Sequence, residues 1–138
     1  MNSVLVVDPD PSSRSRLEAG LAESNQFGMV LSCANLAEVG QHLATQGVSV
    51  VLLVQQVAQD QAGLDHIRHS FPHVGLVLLT DSKQQIDQEL LVALGMHAQT
   101  SATASPLELM VTVAKAMVCR LRPPRSVGKK LFGRFMKD

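Results

Sequence analysis

The stretch VSVVLLVQQVAQDQAG, Val48 to Gly63, decides the fold. Its first seven residues, Val48 to Val54, are almost all aliphatic and lack polar alternation, the mark of a strand covered on both faces. Such a strand belongs inside a parallel sheet, where ligands and chemistry collect just past the carboxyl ends of the strands. The residues at that point are Val54, Gln55 and Gln56. None is a nucleophile, a general base or a strong ligand for a hard cation. The position that this architecture reserves for chemistry is therefore blank.

On the amino-terminal side, Ser3 to Val7 is an apolar run ending in Asp8. Asp10-Pro11 then opens a helix reaching about Ser24, with the carboxylate at N-cap and the proline where its missing N–H costs nothing. Met29 to Cys33 reads as a shorter strand, and Asn35 with Glu38 as a capping-box start to a helix ending near Gln46. On the carboxyl side, Gly63 to Ser70 is a short helix stopped by Pro72, and Gly75 to Thr80 is another buried strand. Ser82 and Gln85 open a helix carrying Ile86, Leu90, Leu91 and Leu94 and ending at Gly95; His97 to Ser101 is a short polar strand. Ser105-Pro106-Leu107-Glu108 combines N-cap, N1 proline and capping-box glutamate for a last helix that stops before Pro123-Pro124. Five strands alternating with five helices imply a parallel sheet with helices on both faces.

The chain of 138 residues is 46% hydrophobic, enough for one domain with a real core. No apolar segment approaches the roughly 20 residues that a membrane span needs. The opening MNSVLVVDPD lacks the regions of a secretory signal, so a cytoplasmic protein is expected. Cys33 and Cys119 stand alone and read as small apolar residues. Net charge is zero but unevenly placed. Seven of the 12 basic residues lie in the last 19 positions, where Asp138 is the only acid, so that segment carries +6 and the remainder −6.

Together, VLVVDPDPSSR, VLLVQ followed by AGLDHIR, GLVLLTDS and ALGMHAQTSATASPLEL resemble the response-regulator receiver domain of bacterial two-component signalling, over residues 1 to 122. The resemblance implies a flavodoxin-like (βα)5 fold, with residues 123 to 138 left as linker and basic tail. It also implies a phosphorylation pocket, here degenerate. Asp8 matches the first of the family's acidic pair, and Pro9 replaces the second, a magnesium ligand. Gln55 stands where the phosphoaccepting aspartate is expected, eight residues before Gly63, although a one-residue slip would put Val54 there. Thr80 matches the hydroxyl that senses the phosphoryl group, Ala102 replaces the lysine, and Thr103 replaces the proline after it. Phosphoryl transfer to a carboxylate needs an oxygen nucleophile, a hard cation held by acidic oxygens and positive charge on the phosphoryl oxygens. These residues supply almost none of that, so no catalysis, cofactor or metal is expected.

Other residues weigh less. His66, His69 and His73 read as solvated surface residues, and Asp60 and Asp65 as loop and helix-start residues. No glycine-rich phosphate loop, catalytic triad or helix-turn-helix signature is present, and nucleic acid is not an expected partner. On the last helix Leu107, Met110, Val111, Ala114, Met117, Val118 and Leu121 form an apolar stripe, expected mostly to pack the core. In receivers this region commonly dimerises, so Leu107, Met110, Val111, Met117 and Leu121 are also a candidate homodimer interface. In the tail Val127, Leu131, Phe132, Phe135 and Met136 form a helical apolar stripe beside Lys129, Lys130, Arg134 and Lys137. Three readings stay open for it: contact with an anionic membrane surface, docking in a groove on a partner protein, or no outside partner, the tail folding back on the acidic globule or staying disordered.

The sequence therefore points to a phosphorylation-independent adaptor of bacterial signalling or protein localisation, similar to stand-alone pseudo-receivers and to the receiver-like domains of pilus-localisation proteins. It would be cytoplasmic, with the tail allowing peripheral contact at the inner membrane. The alternative is an unconventional phosphoacceptor using Asp8 or Asp60 in a phosphorelay.

Overall fold

Four aliphatic-rich runs and one short polar stretch become five parallel strands in the computed structural model, which describes residues 3–81 and 86–120. They are β1 (Ser3–Val7), β2 (Met29–Cys33), β3 (Val48–Val54), β4 (Gly75–Thr80) and β5 (Ala98–Ser101), in the order β2-β1-β3-β4-β5. The three inner strands are buried almost throughout, whereas the edge strands β2 and β5 are only partly so. This is why the inner strands need no polar alternation: helices cover them on both sides. Register places Val7 opposite both Cys33 and Leu53, and Leu79 opposite both Val54 and Thr100, so the strands end along one edge of the sheet. The strand order reverses direction at β1 and β3, and the crevice expected at such a switch point lies beside Asp8 and Gln55.

Four of the helices form two contacting pairs. Helices α1 (Pro11–Glu23) and α6 (Pro106–Arg120) pack together, and α2 (Leu36–Gln46) packs against α4 (Gln61–Ser70). Local signals start these helices. Asp10 accepts the Ser12 N–H at 3.0 Å, Asn35 accepts that of Glu38 at 3.2 Å, and Ser105 accepts that of Glu108 at 3.2 Å. Gly47 ends α2 in the left-handed conformation, with φ of 65°, which a side chain would strain.

Three expectations need correction. The crossover from β3 to β4 holds two helices, not one: a single turn, α3 (Gln55–Ala58), comes first, and the next helix begins at Gln61 with Asp60 as its cap. The helix expected to carry Ile86 is α5 (Gln88–Ala93), and Ile86 lies before it. Both backbone groups of Ile86 are instead held by the Gln99 side chain, each at 2.9 Å. The Ser82–Gln85 cap lies outside the described residues.

The third concerns α6. Its inward residues are Leu109, Thr112, Val113 and Ala116 rather than the expected stripe. Leu107, Val111 and Val118 are 64%, 46% and 56% exposed, Ala114 is exposed, and Met110 and Met117 lie between the two sides. The helix is apolar nearly all round, so packing chose a face that periodicity alone did not single out. Gly20 on α1 lies against Leu109 and Pro106, and Gly75 on β4 against the Ala116 backbone, which fixes that choice.

Candidate functional site

Asp8 immediately follows β1, and its backbone N–H extends the ladder to Cys33 O at 3.1 Å. The turn into α1 folds over it and leaves it 4% exposed. One carboxylate oxygen, Oδ1, accepts the Asp10 N–H at 2.9 Å. The other, Oδ2, is buried without a hydrogen-bond partner among the described residues. The Arg14 guanidinium reaches the Asp8 carbonyl oxygen at 2.9 Å. Pro9 is exposed and offers no side-chain oxygen.

At the end of β3, Val54 is buried in the core while Gln55 turns out as the first residue of α3. Its Oε1 accepts the Asp81 N–H at 3.1 Å, tying the start of α3 to the residue that follows β4. Thr80 is buried and donates its hydroxyl to Thr100 O at 3.4 Å, across to β5. Ala102 continues that ladder with its N–H on Thr80 O at 3.0 Å, and its own carbonyl accepts from the Arg16 guanidinium at 2.7 Å. Asp8, Gln55, Thr80 and Ala102 therefore sit at the carboxyl ends of β1, β3, β4 and β5, and Pro9 lies beside Asp8 on the rim. Next to Gln55 a groove of about 320 Å³ has an apolar wall of Leu78, Ile86, Leu90 and Leu94, with Gln59 and Gln61 also lining it.

The receiver resemblance implies a magnesium ion here, and the residues present do not fit one. Magnesium asks for near-octahedral oxygen ligation, usually through carboxylates. Asp8 is the one buried carboxylate among the described residues at this edge, Asp10 is spent capping α1, and Asp81 is exposed. Pro9 brings nothing, and the Gln55 amide oxygen is already committed to the Asp81 backbone; no three metal-ligating side chains converge among the described residues. Positive charge does arrive, on Arg14 and Arg16 from α1, but both are held by backbone carbonyls. Sequence reasoning missed both arginines, Asp81 and Gln99. Arg14 is only six residues from Asp8, but Arg16 and Ala102 are 86 positions apart, Gln55 and Asp81 26 and Gln99 and Ile86 13, so no local spacing could have signalled those three ties.

The remaining candidates lie elsewhere. Asp60 is exposed and caps α4, accepting the Gly63 N–H at 3.0 Å, and Asp65 pairs with Arg68 on the outside of α4. His66, His69 and His73 are exposed. Burial pushes the Cys33 thiol up to about 11, helped by the nearby Glu38 carboxylate, so at neutral pH it stays protonated and is a poor nucleophile. Leu121 and the tail residues Lys129, Lys130, Leu131, Phe132, Arg134, Phe135 and Met136 lie outside the described residues. No described helix is long and apolar enough to cross a membrane.

No protein-family model matches the chain, and no curated protein matches it in sequence. Solved structures do match in shape. A receiver domain protein of Clostridium thermocellum superposes with a TM-score of 0.69 at 16% identity, covering 86% of this chain and 95% of that one. A chain from the complex of the CheA3 P1 domain with CheY6 of R. sphaeroides gives 0.70 at 19% identity, covering 85% and 97%. A pilus assembly-related protein of Burkholderia pseudomallei gives 0.71 at 15% identity, covering 86% and 91%. The chain has the receiver-domain fold.

Proposed function

We propose that this protein is a non-catalytic pseudo-receiver, a phosphorylation-independent adaptor that works through protein contacts. One observation carries the reading: where a phosphoacceptor carboxylate would stand, Gln55 presents a carboxamide already hydrogen-bonded to the Asp81 backbone. An amide is not a phosphoryl acceptor, and this one bridges β3 and β4 without any added group. The Gln99 clamp on Ile86 holds the neighbouring segment in the same manner. The pocket has become scaffold, and the surfaces around it do the work.

The contact surface is the outward face of α6, through Leu107, Met110, Val111 and Met117 and extending to Leu121, and its partner is a second copy or another protein. Residues 1–122 form the module, and 123–138 supply a second contact, with a partner protein or with an anionic membrane surface from the cytoplasmic side. A pilus assembly-related neighbour of the same fold favours a place in protein localisation at such an assembly. The CheY6 complex illustrates that this fold serves protein partners.

The test is incubation with acetyl phosphate and magnesium, followed by intact-mass measurement. No phosphoryl adduct is expected. An adduct that disappears in Asp8→Asn or Asp60→Asn would overturn the adaptor reading in favour of an unconventional acceptor.

A further inference from the structure

Among the described residues, three of the five exposed large apolar side chains lie in one line on α6: Leu107, Val111 and Val118. With exposed Ala114 their steps are four, three and four, so they run straight along the helix for roughly 16 Å at 1.5 Å per residue. No described element covers them. A line of this length on a helix already anchored by its other side is a seat for a second helix.

The chain itself holds a segment that fits. Eighteen residues follow Arg120, and Pro123-Pro124 prevents α6 from simply continuing through them. Beyond the prolines, Val127, Leu131, Phe132, Phe135 and Met136 form an apolar stripe spanning nine residue steps, roughly 14 Å as a helix, close to the length of the exposed line. The six residues 121 to 126 are a connection of ordinary length for two antiparallel helices. An antiparallel return also brings Arg134 and Lys137 to the first turn of α6, where Glu108 is exposed. The charge division of +6 in the last 19 residues against −6 elsewhere favours such a return. Covalent linkage makes the docking intramolecular, so a modest affinity suffices to keep it closed.

We propose that residues 127 to 136 fold back along α6 and cover its outward stripe, so that each apolar surface hides the other until a partner takes one of them. The inference rests on the adaptor reading in that it guards the face assigned there to protein contacts, and it adds the regulation: capture of the tail uncovers α6.

The test is hydroxyl-radical footprinting of the full-length protein, read by mass spectrometry at Leu107, Met110, Val111 and Val118, with sedimentation giving the oligomeric state of the same samples. The monomer should be protected on α6. In a full-length Phe132→Asp/Phe135→Asp variant, labelling there should rise about tenfold, as for a seat occupied nine-tenths of the time. That variant lies outside the described globule, and Val111→Asp, on the solvent side of α6, should in turn raise labelling at Phe132 and Phe135. Protection that appears only with dimer and survives the tail variant would overturn the proposal in favour of a second copy. Equal labelling in both proteins would overturn it outright. A phosphoryl adduct in the acetyl phosphate experiment would sink the adaptor reading and leave this footprint unchanged, so the two failures are distinguishable.

Discussion

The carboxyl edge of the sheet and the outer face of α6 are opposites. At the edge, residues that resemble a reactive pocket are tied to one another: Gln55 to Asp81, Thr80 to Thr100, Gln99 to Ile86, Asp8 to Asp10. On α6, leucine and valine side chains face outward, unmatched by any described element. A pocket whose groups are bonded among themselves has little left to offer a substrate, whereas an apolar stripe in water gains free energy from whatever covers it. The difference teaches that the strand ends satisfy their own hydrogen bonds, whereas the helix face still gains from a cover.

The comparison breaks most sharply on α6 itself, where two leucines lie two positions apart on opposite sides. Leu109→Ala removes a side chain that is fully enclosed and should cost about 2–5 kcal/mol of unfolding free energy through lost burial and the cavity left behind. Leu107→Ala trims an exposed residue and should stay within about 0.5 kcal/mol if nothing covers it. Urea unfolding of both variants in the full-length protein measures the pair. A cost at Leu107 beyond about 0.5 kcal/mol, up to the roughly 1.4 kcal/mol that a seat occupied nine-tenths of the time can lose, would mean that the outward face is occupied and would sharpen the case for a covering segment.

The pocket yields a second prediction with the opposite sign. Asp8 keeps one carboxylate oxygen buried and without a described partner, and a buried charge lacking full hydrogen bonding is costly. Asp8→Asn keeps an oxygen for the Asp10 N–H and removes the charge. It should leave stability unchanged or raise it by about 1 kcal/mol. Thermal unfolding with and without magnesium checks this. A magnesium-dependent gain confined to the parent protein would show that Asp8 still holds a cation.

Much of this was legible in the residues themselves. The four aliphatic-rich strands, and the caps at Asp10, Asn35 and Ser105, fall where apolar runs and short-range side-chain bonds put them, because those signals are local; β5 is short and polar and shows only through the alternation of elements. The turn of helix at Gln55–Ala58 was not legible, since Val54 supplies no side-chain cap and four residues cannot establish a period. Nor was the inward face of α6, because a helix apolar nearly all round leaves the choice to its neighbours α1 and β4. In the pocket, Asp8, Gln55, Thr80 and Ala102 could be placed at strand ends, yet apart from Asp8, which bonds Asp10 two residues on, what each one bonds to depends on pairs 20 to 86 residues apart.

The smallest effect tests the tie between Gln55 and Asp81. Gln55→Ala removes the acceptor for the Asp81 N–H, while Gln55→Glu keeps an oxygen at nearly the same reach. Asp81 is exposed, so its freed N–H turns to water and avoids the full penalty of a buried orphan. The loss should then be only about 0.5–1 kcal/mol for alanine, with glutamate closer to the parent. The local reading is more sensitive than global stability: amide exchange at Asp81 should quicken by about two- to fivefold in the alanine variant and less in the glutamate one. If alanine leaves that exchange rate unchanged, the Gln55 amide is a bystander and the strand ends are held by the ladder alone. If exchange quickens while α6 footprinting stays the same, the two regions are independent. The pocket is then a fixed platform, and whatever switching the protein performs belongs to the helix face.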